Sequence, residues 1–231
     1  DVISTNISHK VEEVAAFGCG NTFRPQGGLP VETKKYCVGM YGKEVDFFVL
    51  KGVIEAVLNN VGLKGYEIEP ETTNLTFHPG RCAKLMYNNI CLGTFGELHP
   101  DVLENYSLNQ RVYVAELNLD LVFENLNHVI TYNPLPKYPA TTRDIALLVK
   151  DEVFVKQIED IIKANGEDIL ESYQLFDVYK GAQIEEGHKS IAYSITYRSK
   201  EKTLTDEDVA KVHDKIVSEL SEKLNANLRS N

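Results

Sequence analysis

Leu175-Phe176-Asp177-Val178-Tyr179-Lys180 is the stretch that decides the fold of the second half of this chain. Its aromatic and β-branched residues favour a strand, and strict alternation places Tyr173, Asp177 and Tyr179 on one face of it. A carboxylate two residues from an aromatic ring can accept hydrogen bonds from a base while the ring stacks on that base. The stretch therefore predicts either a base-binding strand or a tyrosine-bearing strand that shields a core.

The segments around this stretch predict a β-α-β-β-α-β order, which is the ferredoxin-like arrangement. Apolar periodicity and turn residues place the six elements at 143–149, 153–164, 169–180, 190–198, 206–224 and 227–229. Thr205, followed three residues later by Asp208, forms a capping box that marks the start of the second helix.

Both helices of this arrangement pack on one side of the sheet, so the opposite face is open to a partner. The residues expected to face the helices are Ile145, Leu147, Val149, Phe176, Val178, Ile191 and Ile195. The residues expected on the open face are Tyr173, Asp177, Tyr179, Ser190, Ser194, Thr196 and Arg198. A basic fringe at the strand ends and connections is either an RNA contact or a solvated cluster, and it consists of Lys180, Lys189, Arg198, Lys200 and Lys202.

The composition indicates a globular protein of 231 residues in which any contact with nucleic acid is local. Its 24 basic and 34 acidic residues give a net charge of −10, which argues against binding RNA through the overall field. No apolar run is long enough for a membrane helix and the first residues lack the order of a signal peptide, so we expect a cytoplasmic protein without a membrane partner. The four cysteines contain no C-x-x-C pair, which favours reduced thiols.

The first half of the chain predicts a sheet with one amphipathic helix. Glycines and prolines indicate irregular structure up to about residue 30, and Gly18-Cys19-Gly20 lacks the lysine and hydroxyl residue of a phosphate loop. A helix is predicted over 45–61 with Gly62 as its C-cap, and strands over 83–87 and 90–95 are joined by Asn88-Asn89. A further strand is predicted over 112–119.

A stretch rich in proline and asparagine, residues 125–139, separates the two halves and predicts a linker. The expected domains are therefore 1–124 and 140–231. The residues on which the linker depends are Asn125, Asn127, Asn133, Pro134, Pro136 and Pro139.

Motifs of the second half agree in order and spacing with one family. They are Tyr138-Pro139-Ala140, Arg143-Asp144-Ile145-Ala146, Leu175-Phe176-Asp177-Val178-Tyr179, Glu186-Gly187-His188-Lys189-Ser190, Arg198 and Thr203-Leu204-Thr205-Asp206-Glu207. In these motifs the chain resembles the ferredoxin-fold anticodon-binding domain that ends the bacterial phenylalanine–tRNA ligase β subunit. The resemblance implies that the open sheet face binds the anticodon of tRNA-Phe.

The resemblance also implies a role for individual residues. Tyr179 would stack on the first anticodon base, a guanine, Asp177 would accept hydrogen bonds from its N1 and N2 groups, and Ser190 would line the same pocket. The basic residues expected to complete the tRNA-binding set are Lys180, Lys189 and Arg198.

Two motifs of the first half are similar to the same subunit, in which they belong to a degenerate copy of the class II synthetase catalytic fold. They are Phe77-His78-Pro79-Gly80-Arg81 and Gly93-Thr94-Phe95-Gly96-Glu97-Leu98-His99-Pro100. The expected fold class is thus α+β, with a degenerate class II synthetase-like antiparallel sheet domain followed by a ferredoxin-like βαββαβ domain. His78 and His99 each precede a proline and nothing brings their rings together, so no metal site is expected.

An active class II site needs an arginine and a glycine-rich strand to bind ATP, and residues 114–120 contain neither. We therefore expect a noncatalytic domain with no cofactor of its own, although the resemblance implies an intact enzyme that uses ATP and Mg²⁺. The family has more residues between the strand at 36–40 and the helix beginning near 45, which leaves the join between Met40 and Val45 open. The family's amino-terminal modules are also missing, which predicts a carboxy-terminal piece.

The hypothesis favoured by these features is a noncatalytic part of phenylalanine–tRNA ligase that binds tRNA-Phe and scaffolds the catalytic α subunit of an α2β2 enzyme. One alternative is part of a single-chain organellar-type ligase, which would require the phosphate-binding residues that 114–120 lack. The other is a ligand-sensing module, because ferredoxin-like folds serve many functions.

Overall fold

The computed structural model describes residues 1–126, 132, 134–181 and 183–228. The chain folds into two compact units, Asp1–Thr131 and Tyr132–Asn231, and each is described by itself. Both units combine helices with an antiparallel sheet, which confirms the expected α+β class. No helix in the described part of the chain is long and apolar enough to cross a membrane.

The first unit is built on a six-stranded sheet in the order β1-β2-β6-β5-β4-β3, in which every pair of neighbours is antiparallel. Its elements are α1 (Val2–Ser8), β1 (Val14–Arg24), β2 (Val31–Tyr41), α2 (Phe47–Asn60), β3 (Glu67–Pro70), β4 (Phe77–Tyr87), β5 (Ile90–Leu98), α3 (Pro100–Asn105), β6 (Tyr113–Asn118) and α4 (Leu119–Glu124).

The expectation of irregular structure up to residue 30 is wrong, because this segment contains α1 and β1. β1 pairs with β2 along its whole length, from Val14 opposite Tyr41 to Arg24 opposite Val31. A glycine inside a strand costs only about 0.5–1 kcal/mol, which a complete ladder of hydrogen bonds offsets. Glycine content alone was therefore a poor guide to this segment.

The other elements predicted in the first unit are confirmed. α2 begins after Asp46, whose carboxylate accepts a hydrogen bond from Val49 N at 2.8 Å, and Gly62 follows its end with a φ of 82°. Asn88 and Asn89 join β4 to β5 with φ values of 47° and 65°, as a two-residue hairpin requires. The predicted strand at 112–119 is β6.

The core of this unit lies between the sheet and α2. Its buried residues include Val38, Met40, Leu50, Ile54, Leu58, Leu85, Leu92, Phe95, Ala115 and Leu117. The short join between β2 and α2 is a turn in which Val45 N donates a hydrogen bond to the Gly42 carbonyl at 3.3 Å.

The second unit has the predicted β-α-β-β-α-β order. Its elements are β7 (Thr141–Lys150), α5 (Val155–Asn165), β8 (Leu170–Tyr179), β9 (His188–Tyr197), α6 (Asp206–Leu224) and β10 (Asn227–Leu228), with a 3-10 turn at Glu167–Ile169. The strands lie in the order β10-β7-β9-β8 and all neighbours are antiparallel.

The capping box of α6 is confirmed: Thr205 Oγ1 accepts a hydrogen bond from Asp208 N at 3.2 Å, and Thr205 N donates to Asp208 Oδ2 at 3.1 Å. α5 and α6 pack together on one face of the sheet. The buried residues of this core include Ile145, Leu147, Val149, Ile158, Ile162, Ile191, Tyr193, Ile195, Val209, Val212, Ile216 and Leu220.

The stretch 125–139 lies between the last helix of the first unit and the first strand of the second. Asn125 is the C-cap of α4, and Pro134, Pro136 and Pro139 lie outside helices and strands. The remaining linker residues, Asn127 and Asn133, lie outside the described residues. Arg229, the expected last residue of the final strand, lies outside them as well. The assignment of 125–139 as a linker stays a prediction.

Candidate nucleic-acid interface

The sheet of the second unit has one face covered by α5 and α6 and one face that is turned away from them. Residues directly opposite each other in an antiparallel pair share a face. Ile191, Tyr193 and Ile195 of β9 belong to the core under the helices, so the residues between them face the other way. We call this second side the open face, and on β9 it carries His188, Ser190, Ala192, Ser194 and Thr196.

A β-bulge decides which residues of β8 reach the open face. Leu175 lies opposite Tyr193 and Asp177 lies opposite Ala192, so Phe176 is an extra residue between two regular pairs. Asp177 is therefore on the open face, although an unbroken alternation from Leu175 would turn it toward the helices. Asp177 thus lies on the predicted face, but the bulge places it there, not unbroken alternation.

The bulge overturns two assignments. Tyr173 was expected on the open face, but it lies opposite Ile195, its ring centroid is 6.4 Å from that of Tyr193, and Lys163 Nζ of α5 lies 5.6 Å from its centroid. Tyr173 thus packs on the helix side. Phe176 was expected in the core, but as the bulged residue it is 56% exposed.

Val178 lies opposite Ile191 on the helix side, as predicted, but it lies near the end of the edge strand β8 and is exposed there. The helix-facing assignments of Ile145, Leu147, Val149, Ile191 and Ile195 are confirmed by their burial in the core.

Asp177, Tyr179 and Ser190 come together at one end of the open face. Tyr179 lies directly opposite Ser190, and Asp177 is on the same side of β8 two residues earlier. Side chains opposite each other in such a pair have β-carbons about 4.5–5.5 Å apart. Ser190 is only 5% exposed, whereas Tyr179 keeps 38% of its surface exposed. The arrangement offers a ring, a carboxylate and a hydroxyl within the span of one base.

Two lysines lie beside these three residues and are anchored by one aspartate. Lys180 forms an ion pair with Asp151 Oδ2, and Lys189 Nζ donates a hydrogen bond to the Asp151 carbonyl at 2.9 Å. Lys189 lies opposite Val149, which is the helix-side register, and reaches Asp151 at the strand end. Burial lowers the pKa of Lys189 below its usual value, and the charge of Asp151 opposes that shift.

Arg198 lies at the other end of β9. It is eight residues from Ser190, or about 26 Å at the usual strand rise of about 3.3 Å per residue. Its Nε donates to Glu171 Oε1 at 2.8 Å, and its Nη1 donates to the Tyr138 carbonyl. The structure therefore does not bring Arg198 together with the other candidate residues.

Three further side chains share the end of the open face with Tyr179 and were not among the sequence candidates. Leu148 lies opposite Ser190, and Lys150 lies opposite His188. His188 Nδ1 is buried without a hydrogen-bond partner among the described residues and lies 4.0 Å from Glu185 Oε2. Alternation along β9 from Ser190, together with the pairing of β7 against β9, could have identified these residues.

His78 and His99 of the first unit have local structural roles. His78 Nδ1 accepts a hydrogen bond from Gly80 N at 3.1 Å, and His99 Nδ1 accepts one from Asp101 N at 3.2 Å as the N-cap of α3. The described residues contain no group of three or more metal-binding side chains. Arg81 Nη1 contacts both carboxylate oxygens of the buried Glu97, at 2.9 and 3.0 Å.

Comparison with known proteins gives the family. The profile of the phenylalanyl tRNA synthetase beta chain CLM domain matches residues 1–119, which is more than half of the chain. This chain belongs to the phenylalanyl-tRNA synthetase β chain family. The profile of the ferredoxin-fold anticodon binding domain matches residues 136–229, the part that contains the open face.

Relatives in this family match along nearly all of the present sequence. The Phenylalanine–tRNA ligase beta subunit of Clostridium tetani is 48% identical over 99% of this chain and 29% of its own length. That of Clostridium acetobutylicum is 45% identical over 98% and 29%, and that of Bacillus licheniformis is 37% identical over 99% and 30%. The chain thus spans less than a third of the length of these relatives.

Among solved structures, a pyrrolysyl tRNA synthetase from Desulfitobacterium hafniense aligns with a TM-score of 0.44 and 14% identity. The alignment covers 55% of this chain and 49% of the other. The likeness is too weak to add to the assignment.

Proposed function

We propose that this chain forms the anticodon-binding and assembly part of a bacterial phenylalanine–tRNA ligase, and that its open face binds the anticodon of tRNA-Phe. The observation that carries the proposal is the register of β8 and β9, in which Tyr179 lies opposite Ser190 with Asp177 on the same side. The names of the relatives and of the second family profile support the same reading.

Each of the three residues has a chemical task in this proposal. The ring of Tyr179 stacks on the first anticodon base, a guanine, which is worth about 1–3 kcal/mol. The carboxylate of Asp177 accepts hydrogen bonds from N1 and N2 of that base, and hydrogen bonds to a charged group contribute about 1.5–3 kcal/mol. Ser190 lines the pocket beneath them. An adenine offers no N2 group, so these contacts favour guanine.

The basic residues would contact RNA phosphates rather than bases. Lys180 and Lys189 lie beside the pocket, where Asp151 holds both and offsets part of their charge. Arg198 would meet the RNA backbone at the other end of β9. With a net charge of −10 on the chain, we expect this contribution to be local and to weaken with salt.

The first domain, proposed as 1–124, would pack against the catalytic α subunit of an α2β2 enzyme, and 125–139 would link it to the anticodon-binding domain at 140–231. β1 and the loop after it expose large apolar side chains. Phe17 is 75% exposed, Phe23 is 62% exposed, and Leu29 in the loop is exposed as well. A partner that covers them would gain roughly 25 cal/mol for each Å² of apolar surface removed from water.

ATP and Mg²⁺ of the intact ligase would bind outside this chain. Residues 114–120 include all of β6 except its first residue and contain no arginine to meet a phosphate. Glu116 in that strand is ion-paired with Lys35 at 3.0 Å. A carboxylate at this position disfavours an anionic nucleotide. A single-chain ligase with its catalytic site here would need an arginine and glycines, and β6 contains neither.

Replacing Tyr179 or Asp177 by alanine tests the proposal. Binding of tRNA-Phe and of a variant with the first anticodon guanine replaced is measured for the chain and for an assembly reconstituted with the α subunit. Loss of the stacked ring should weaken binding of the natural tRNA by roughly 5- to 150-fold and reduce the preference for guanine. Matched controls are Tyr132→Ala and Asp214→Ala, which change exposed residues outside the open face. Unchanged affinity and preference in a folded Tyr179→Ala/Asp177→Ala double variant would defeat the anticodon assignment.

A further inference from the structure

Gly181 lies two residues after Tyr179, and the tyrosine ring lies against its main chain. A β-carbon built on Gly181 would come within 2.6 Å of Tyr179 Cζ and 3.2 Å of Cε1, and closer still to the phenolic oxygen. A separation of 2.6 Å is well inside van der Waals contact. The ring can hold its present position only because residue 181 has no side chain.

The backbone does not itself require a glycine at this position. Gly187, near the other end of the connection between β8 and β9, has a φ of 82°, but Gly181 is not among the glycines with positive φ. An L-residue therefore fits the main chain at 181. The three nearest atoms that its β-carbon would meet all belong to Tyr179. The conflict is with that ring and not with the fold.

The main chain at Gly181 is hydrogen-bonded, and the residue before it is ion-paired. Lys180, which precedes it, is ion-paired with Asp151, and Ile184 N donates a hydrogen bond to the Gly181 carbonyl at 2.9 Å. Asp151 N in turn donates to the Gly187 carbonyl at 2.9 Å. Because the Gly181 carbonyl is held by this hydrogen bond and the nearest atoms to a β-carbon at 181 all belong to Tyr179, a side chain there would displace the tyrosine ring.

We propose that Gly181 is a positioning residue that sets the orientation in which Tyr179 presents its ring on the open face. The inference rests on the proposed anticodon function, because the orientation matters through stacking on a base. Gly181 needs no contact with RNA in this role. Its effect passes entirely through the Tyr179 ring.

A double-mutant cycle on tRNA binding separates this role from a general structural one. Gly181→Ala should weaken binding of tRNA-Phe at least about threefold, a part of the roughly 5- to 150-fold loss expected for Tyr179→Ala. In the Tyr179→Ala background the same change should alter binding less than about twofold, because the ring that it displaces is gone. Gly52→Ala is the matched control, since a β-carbon at this exposed position of α2 meets nothing within 4 Å.

A measurement without RNA tests the contact itself. Nuclear Overhauser contacts between the Tyr179 ring protons and the Gly181 α-protons are expected in the wild-type chain. In Gly181→Ala the Tyr179 ring resonances and their contacts should change while those of the Tyr193 ring in the core stay in place. An absent ring–Gly181 contact in the wild type, or unchanged ring contacts in the variant, would overturn the proposal.

The outcomes for the two proposals are distinct. If Tyr179→Ala weakens tRNA binding and a folded Gly181→Ala does not, the positioning role is wrong and the anticodon function stands. If Gly181→Ala weakens binding equally with and without Tyr179, the glycine acts on the fold and the positioning role is wrong. If Tyr179→Ala has no effect, the anticodon function fails and the positioning role in RNA binding fails with it.

Discussion

Glu71 is a buried carboxylate of the first unit, and both of its oxygens have charged or hydrogen-bonding partners. Lys84 Nζ lies 2.5 Å from Oε2, and the backbone N and Oγ1 of Thr73 both donate to Oε1 at 2.6 Å. The hydrogen bond from Lys84, followed by those from Thr73, lowers the pKa of Glu71 from 4.5 to about 2. Since the pKa is lower in the folded state, the ionised carboxylate stabilises the fold above about pH 4.5, and this stabilisation is lost as the pH falls toward 2.

Glu71→Gln should therefore lower the stability of the first unit at neutral pH and remove part of its acid sensitivity. The difference in unfolding free energy between wild type and variant should be largest at neutral pH and shrink as the pH falls from 4.5 to 2. Urea unfolding followed by circular dichroism at several pH values measures it. Glu12→Gln, at an exposed position before β1, is the control and should leave the pH profile nearly unchanged. A difference that stays constant over this range would contradict the assigned cause.

At the scale of elements, β8 and α6 show why some features could be predicted and others could not. The bounds of α6 agree with the prediction because local side chains mark them: Thr205 and Asp208 cap its start. The faces of β8 depend on which of its residues is left without a partner in β9, and nothing within β8 itself marks Phe176 as that residue. Alternation placed Tyr173 on the wrong face. Asp177 and Tyr179 were still named as candidates, because the family motifs pointed to them independently of alternation.

Two single deletions test the bulge. Removing Phe176 leaves Leu175 opposite Tyr193 and Asp177 opposite Ala192, so the preference for the guanine anticodon should survive. Removing Val178 also abolishes the bulge, but with Tyr179 held opposite Ser190 it turns Asp177 toward the helix side. That variant should lose roughly 10- to 100-fold in affinity for tRNA-Phe, the worth of a hydrogen bond to a charged group.

The same binding assay that is used for Tyr179→Ala compares the two deletions, and thermal unfolding confirms that both are folded. Equal loss of affinity in both would contradict the observed register of β8 against β9, because only one of them moves Asp177 from the open face.

At the scale of the whole molecule, each unit closes a core of its own. Within the described part of the chain, the core cluster of the second unit draws only on residues between Ile145 and Ala226, and the clusters of the first unit only on residues before 127. The composition predicted a chain long enough for two domains, and the boundary that its proline content suggests at 125–139 stays a prediction. Neither could give the strand order, which depends on pairing between segments far apart in sequence.

Residues 132–231 should therefore fold without the first unit. We expect cooperative thermal unfolding and a dispersed amide spectrum from this piece, because domains with their own core fold independently. A shorter piece, 132–205, is the control: it lacks α6 and with it the buried Val209, Val212, Ile216 and Leu220, so it should not fold. Gradual, noncooperative melting of 132–231 would show that its core is incomplete.

β1 has a practical consequence for anyone who purifies this chain. It is a long strand at the edge of its sheet, its outer ladder is unpaired among the described residues, and Arg24 at its end is its only charged residue. Natural edge strands are usually protected from aggregation by charges, prolines or bulges. At high concentration, with β1 uncovered, copies of the chain should pair edge to edge through β1 and aggregate. A lysine introduced into its middle, or co-expression with a protein that covers Phe17 and Phe23, is the remedy that the structure suggests.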